Sequence, residues 1–201
     1  MIRPLIFALA LLPATAHAQD PVRLNVLTFN IWYGGDQVSF ASVIAAIKLA
    51  DADIVGRQEP DGKTLEIAAL AGHSHADPRR HILSKYPLFD SGSGETTHAE
   101  APAYSIAGPD PDAVQDWVPV APGKGVAVAN THLTSDPYGP KMLRDGASLA
   151  DVLINAIDPR KPEAQALIDG LAPLVASGIP VILTGDFNAA SWRDWVGKPC
   201  Q

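Results

Sequence analysis

The sequence predicts an α/β fold built around a buried sheet, because short apolar runs typical of strands alternate with segments of helical periodicity. Residues 179–183 are continuously apolar, as expected for a strand covered on both faces. Residues 24–32 alternate instead, with Leu27 and Phe29 on one face and Thr28 and Asn30 on the other. The composition, 47% hydrophobic and 18% charged, is that of a globular protein and excludes a disordered or collagen-like chain.

The strands follow from apolar runs that end at turn residues. They are predicted in chain order at residues 24–32, 54–56, 81–88, 125–133 and 179–183. The strand at 81–88 is broken by Pro87. Two shorter strands, at residues 103–107 and 117–120, are expected inside residues 90–122, which are rich in Gly, Pro, Ser and Asp.

The helices follow from apolar residues that recur every three or four positions. They are predicted from Phe40 to the turn at 51–53, over residues 64–70, around 149–157, and from Pro162 to a stop at Gly178. Pro173 is expected to kink the last of them. No internal repeat or low-complexity linker divides the chain, so one domain is predicted.

Residues 1–18 are predicted to be a cleaved signal peptide rather than part of this domain. Arg3 is followed by an apolar run, Pro13 breaks the run, and Ala16-His17-Ala18 fits a small-x-small cleavage site. The alternative is a buried N-terminal helix. Neither this run nor any later segment is long enough to span a bilayer. The domain is therefore expected to comprise residues 19–201 of a periplasmic or secreted protein.

Charge and cysteine content limit the possible partners and the sources of stability. The formal net charge of −7 disfavours a broad surface for duplex nucleic acid. The single cysteine, Cys200, has no partner for an internal disulfide, so the fold depends on core packing.

Polar residues stand where the apolar strands end, which is where α/β proteins build their sites. These residues are Asn30, Glu59, His132 and the pair Asp186 and Asn188. One well-placed carboxylate such as Glu59 would suffice for Mg²⁺, which keeps most of its water ligands. Strand periodicity predicts that Asp186 and Asn188 share a face, where a base and a neutral donor could act on a phosphoryl group.

Each of these residues also has an ordinary structural interpretation. Asp186 and Asn188 are both favoured in turns, and a histidine such as His132 is often a hydrogen-bonded structural group in a strand. Asn30 could bond to a phosphate oxygen, orient Glu59 or cap the turn before Gly34. His73 and His75 lie in a polar loop without a third ligand at metal-site spacing and are interpreted as surface histidines.

Five segments in order resemble the endonuclease/exonuclease/phosphatase superfamily, which includes deoxyribonuclease I, exonuclease III, neutral sphingomyelinases and inositol polyphosphate 5-phosphatases. They are Thr28-Phe29-Asn30, Gln58-Glu59, residues 82–88 (ILSKYPL), Asn130-Thr131-His132-Leu133 and residues 184–188 (TGDFN). The resemblance implies a four-layer α/β sandwich with two packed mixed sheets and outer helices.

The resemblance also implies an exported Mg²⁺- or Mn²⁺-dependent phosphodiesterase or nuclease-like hydrolase. Glu59 would bind the metal with support from Asn30, His132 and Asn188 would hold phosphoryl oxygens, and Asp186 would orient or deprotonate water. The expected substrate is a phosphoester in nucleic acid, a phospholipid head group or a small sugar phosphate.

The family pattern ends with an Asp-His pair after further strands, and no histidine follows His132 in this sequence. The domain is therefore expected to be incomplete at its C-terminus. The alternatives to a competent hydrolase are a catalytically incomplete fragment, a non-catalytic binding module with the same fold, and an α/β domain whose polar strand ends are only caps and turns. A smaller departure is Lys85, where arginine is common in the family.

Overall fold

The computed structural model describes residues 21–90 and 116–189, which form two four-stranded sheets and five α-helices. The strands are β1 Val26–Asn30, β2 Ile54–Gln58, β3 His75–Asp77, β4 Ile82–Ser84, β5 Phe89–Asp90, β6 Asp116–Ala121, β7 Lys124–His132 and β8 Val181–Asp186. The helices are α1 Phe40–Ala50, α2 Thr64–Ala71, α3 Gly139–Arg144, α4 Leu149–Ile157 and α5 Arg160–Ala176. A short 3₁₀ turn, Tyr33–Gly35, follows β1.

Both sheets are mixed, and each contains one pair of neighbouring parallel strands. The first sheet has the order β1-β2-β4-β3 and the second has the order β5-β6-β7-β8. β1 and β2 are parallel with Asn30 opposite Gln58, and β7 and β8 are parallel with His132 opposite Asp186. The carboxyl ends of each parallel pair therefore meet at one edge of their sheet.

Buried side chains on the two faces of each sheet form three apolar clusters. Between the sheets, Ile54 and Ile82 pack with Val118, Val126 and Val128. Outside the first sheet, Val55 and Leu83 pack with Val43, Ile47 and Ile67 of α1 and α2, and outside the second, Ala127 and Ala129 pack with Leu171 and Leu174 of α5. The order is helices, sheet, sheet, helix, which confirms the predicted four-layer α/β sandwich.

Local sequence accounts for several helix ends. The Ser39 hydroxyl accepts a hydrogen bond from the backbone N–H of Ser42 at the start of α1. Ser148 and Asp151 form a reciprocal capping box at the start of α4. α5 begins at Arg160, continues through Pro173 and ends before Gly178, which has a positive φ. Among the described residues, no helix is long and apolar enough to cross a membrane.

The structure corrects several sequence predictions about strands and helices. The strand expected at 81–88 extends only over Ile82–Ser84, because His81 has a left-handed φ and Pro87 has no N–H to donate. The polar loop around residue 75 contains a strand, β3, and α3 was not expected from the sequence. The strand predicted at 103–107 and the signal peptide at 1–18 lie outside the described residues.

Two predictions about burial were wrong. β8 is only half-buried and Leu183 is 37% exposed, since β8 pairs with β7 alone among the described strands. His73 is buried rather than on the surface, with its Nε2 atom 3.1 Å from the carbonyl oxygen of Ala52. Burial disfavours the imidazolium and holds the pKa of His73 below its ordinary value.

Candidate active site

The predicted site residues come together at the edge where the parallel strands of both sheets end. Asn30 is the last residue of β1, and Glu59 follows the last residue of β2. His132 and Asp186 are the last residues of β7 and β8. Two sheets thus contribute two residues each to one cluster.

Asn30 joins the two carboxylates of the cluster. Its Nδ2 atom donates to Glu59 Oε1 at 2.8 Å and to Asp186 Oδ2 at 2.9 Å. Its Oδ1 atom accepts from the backbone N–H of Trp32 at 2.9 Å, which enters the 3₁₀ turn. Asn30 therefore both orients Glu59 and caps the turn before Gly34, two roles that the sequence left as alternatives.

His132 lies close to both carboxylates. Its Nε2 atom is 4.0 Å from Glu59 Oε1 and 3.9 Å from Asp186 Oδ2. The side chain is about one-third exposed, so it can be reached from solvent. A ring nitrogen at this position can carry a proton next to the carboxylates or donate one to a bound anion.

Asn188 departs from the geometry that its spacing suggested. β8 ends at Asp186 and Asn188 has a φ of 46°, so the alternation that would place both side chains on one face does not extend to it. The backbone N–H of Asn188 donates to Asp186 Oδ1 at 2.9 Å, which is the turn interaction these residue types favour. Its Nδ2 atom donates to the carbonyl of Leu133 at 2.8 Å, which leaves one amide proton for another acceptor.

Backbone strain is concentrated around the cluster. Trp32, Tyr33, Glu59, His81 and Asn188 are non-glycine residues with φ between 46° and 57°. Such conformations persist where the surrounding structure imposes them, and they occur preferentially at functional sites. Here one strained residue is itself constrained by the site, since the Tyr33 N–H donates to Glu59 Oε2 at 3.3 Å.

The two carboxylates suit a divalent cation. Glu59 and Asp186 both accept from one nitrogen and so lie near each other, and no Lys or Arg of the described residues forms an ion pair with either. Neighbouring like charges favour a bound cation, and Mg²⁺ prefers such oxygen ligands. No group of three His, Cys, Asp or Glu side chains with metal-binding geometry occurs within residues 21–90 and 116–189.

A buried polar layer supports the cluster, and its residues were not predicted to have a role of their own. Asn130, Gln58 and Thr184 are at most 4% exposed and bond to one another between the sheets. They lie one or two residues before His132, Glu59 and Asp186, respectively. A polar residue at an inward position of an apolar strand was the signal that could have identified them.

Two cavities differ in their relation to the cluster. One of about 200 Å³ adjoins it and is lined by residues that include Glu59, His81, Thr131 and His132. A larger one of about 780 Å³ lies beside the opening residues of β7 and the segment before β8, between mainly apolar side chains such as Val22, Trp117 and Ile179. It is at the opposite end of these strands from His132 and Asp186, so the smaller cavity is the one that belongs to the site.

Arg57 is a buried charged residue on β2, two residues before Glu59 in the sequence. The residue is fully buried, and its guanidinium nitrogens have no hydrogen-bond partner among the described residues. Burial lowers the pKa of Arg57 to about 10.

Fold and site together define an α/β sandwich protein with a carboxylate-centred site at converging strand ends. The chain belongs to the endonuclease/exonuclease/phosphatase family, whose model matches residues 27–201. This match supports a phosphoester hydrolase type of function. Searches of curated proteins and of solved structures returned no significant match.

Proposed function

We propose that this protein hydrolyses phosphodiester bonds in a reaction that depends on Mg²⁺ or Mn²⁺, and that it acts in the periplasm or outside the cell. The observation that carries the proposal is the meeting of Asn30, Glu59, His132 and Asp186 from four strand ends, with His132 about 4 Å from both carboxylates. Residues 1–18, interpreted as a signal peptide, support the location.

Glu59 would hold the metal, and Asn30 would support it. The Nδ2 atom of Asn30 fixes the Glu59 carboxylate, and the Tyr33 N–H fixes its second oxygen, so Glu59 is held in place before any ligand binds. When bound, the ion would polarise a phosphoryl oxygen and neutralise charge that develops on it.

Asp186 would orient and deprotonate the attacking water. Each of its oxygens accepts one protein hydrogen bond, Oδ2 from Asn30 and Oδ1 from Asn188, which leaves lone pairs for a water molecule. A ring N–H of His132 would donate to a phosphoryl oxygen, and so would the second amide proton of Asn188. The attacking water would give one proton to Asp186 as its oxygen bonds to phosphorus, the bond between phosphorus and the ester oxygen would break, and the departing oxygen would take a proton from solvent.

The substrate alternatives are nucleic acid, a phospholipid head group and a small sugar phosphate. The net charge of −7 favours the small or lipid substrates, because an acidic surface repels a long polyanion. A non-catalytic binding module with the same fold, or a catalytically incomplete domain, would bind the metal without turnover.

The test is hydrolysis of bis(p-nitrophenyl) phosphate with and without Mn²⁺, together with the Mn²⁺-dependent rise in melting temperature. Glu59→Gln removes the metal-binding charge, so we expect both the hydrolysis and the rise in melting temperature to disappear. Glu66→Gln, which changes an exposed carboxylate in α2, is the matched control and should keep both. An unchanged Mn²⁺ effect in Glu59→Gln would remove Glu59 from the metal site, and Mn²⁺ binding without hydrolysis would favour the binding module.

A further inference from the structure

The candidate site has no continuous backbone that fixes its width. Asn30 and Glu59 belong to the first sheet, and His132 and Asp186 belong to the second. Backbone pairing sets positions within each sheet only. The 2.9 Å hydrogen bond from Asn30 to Asp186 therefore depends on how closely the two sheets approach each other.

Asn130 connects both sheets immediately below the site, next to the hydrogen bond from the Gly185 N–H to the Thr28 hydroxyl, which also joins the two sheets. The Oδ1 atom of Asn130, on β7, accepts from Gln58 Nε2 at 2.7 Å and from Thr184 Oγ1 at 2.9 Å. Its Nδ2 atom donates to the carbonyls of Arg57 at 2.8 Å and Arg80 at 3.0 Å. Both protons and both lone pairs of the amide are used, so its orientation is fully determined.

The two side chains that donate to Asn130 lie one or two residues before site residues on the same strands. Gln58 directly precedes Glu59, and Thr184 lies two residues before Asp186 on the same strand. Asn130 itself lies two residues before His132, which puts both side chains on one face of β7. A displacement at Asn130 is thus transmitted to three site residues through rigid strand backbone.

We infer that Asn130 is a positioning residue for the proposed hydrolysis, which sets the separation of the two sheets and hence the distance between the Asn30–Glu59 pair and the His132–Asp186 pair. It does not touch the reacting atoms. Buried networks in which every polar group is satisfied rigidify the structure around them. Displacements near 1 Å in a catalytic arrangement can reduce rates about 100-fold.

A merely stabilising role would predict something different. In that case the loss of Asn130 or of a partner would lower the melting temperature, while the remaining folded molecules would keep their site geometry and their turnover number. The positioning role predicts that site geometry and kcat change in molecules that are folded. Substrate binding through outer groups, and so KM, should change little.

Two conservative variants separate these roles. Thr184→Val keeps the shape of the side chain and removes the hydroxyl donor to Asn130. Asn130→Asp keeps the acceptor oxygen and replaces the amide that donates to the Arg57 and Arg80 carbonyls. Val118→Ala is the matched control, since Val118 is fully buried in the apolar layer between the sheets and lies outside this network.

The experiment is a crystal structure of each variant, combined with kcat and KM for bis(p-nitrophenyl) phosphate in Mn²⁺. We expect Thr184→Val and Asn130→Asp to lengthen the Asn30–Asp186 contact beyond hydrogen-bond range and to lower kcat about tenfold or more, with KM within about twofold. Val118→Ala should keep the contact and kcat at a comparable loss of melting temperature. If Asn130→Asp does not fold, Thr184→Val decides.

Two outcomes would overturn the inference: an unchanged Asn30–Asp186 contact in the network variants, or a loss of kcat no larger than in Val118→Ala. The kinetic part rests on the proposed function, whereas the crystallographic part does not. A wild-type protein that hydrolyses no phosphoester would refute the proposed function, and the variant structures would still decide whether Asn130 sets the geometry of the cluster.

Discussion

Replacing Gly56 with alanine is expected to force the two sheets apart directly below the candidate site. Gly56 lies on β2 opposite Thr28 of β1, and it faces Thr184 and Asn130 of the second sheet. A Cβ atom at this position would lie 1.9 Å from Thr184 Oγ1, 2.6 Å from Thr184 Cβ and 2.7 Å from Asn130 Oδ1. Thr184 and Asn130 are themselves buried and hydrogen-bonded to each other, so neither side chain can move without the loss of other contacts.

The expected cost follows from three terms. Overpacking of a core typically costs about 1–3 kcal/mol. Displacement of the Thr184 hydroxyl threatens the hydrogen bond that its single proton donates towards Asn130 Oδ1 and the Ala129 carbonyl, worth about 1 kcal/mol. Gly56 has no left-handed φ, so alanine can adopt its backbone conformation and returns about 0.4–1 kcal/mol through the unfolded state. The net loss is about 1–3.5 kcal/mol, or about 3–14 °C in melting temperature for a chain of this size.

Urea and thermal unfolding followed by circular dichroism measure this loss. Thr184→Ala is the informative second change, because it removes the atom nearest to the new Cβ. The double variant should be more stable than the sum of the single effects predicts, by about 1 kcal/mol or more. A melting temperature within about 2 °C of wild type for Gly56→Ala, or strictly additive effects, would refute the proposed closeness of the sheets.

Three further predictions address the site and its surroundings. Asp186→Asn should reduce hydrolysis about 10²–10⁴-fold with little change in melting temperature, and a nearly wild-type rate would contradict its role as a base. Burial holds the pKa of His73 below 6.5, so near and below that pH the folded protein binds fewer protons than the unfolded chain, and its stability should fall as the pH falls below 6.5. His73→Gln should flatten this decline when the free energy of unfolding is measured in urea at a series of pH values. An unaltered slope would show that other groups cause the decline. Arg57→Met replaces a buried guanidinium without a hydrogen-bond partner among the described residues and should raise the free energy of unfolding by about 1–4 kcal/mol, whereas a destabilised variant would show that the charge is compensated.

The residues of the candidate site could be predicted because the information that places them is local. Each of Asn30, Glu59, His132 and Asp186 stands at or just after the end of an apolar run, and strand ends in α/β proteins meet at one edge of a sheet. The prediction for Asn188 relied on continued alternation past the strand end. It failed there because a turn with positive φ redirects the chain.

The remaining features depend on contacts between distant parts of the chain. β3 has the sequence His-Ala-Asp and becomes a strand by pairing with β4, although its own composition does not favour one. His73 is polar and near a turn, yet it is buried with its Nε2 atom 3.1 Å from the carbonyl oxygen of Ala52, 21 residues earlier in the chain. Tertiary context overrides local preference in both cases.

Glycine within a strand is the local signal that comes closest to encoding the geometry between the sheets. A strand glycine weakens the strand, and it frequently marks a place where another backbone or a ligand approaches closely. At Gly56, Thr184 and Asn130 occupy the space that a side chain would fill. At Gly185, the backbone N–H donates to the Thr28 hydroxyl of the other sheet at 3.0 Å. A side chain at position 56 would separate the sheets and with them Asn30 and Asp186. The polar residues at the strand ends therefore supply the chemistry of the site, and the glycine in β2 allows residues of two different sheets to share it.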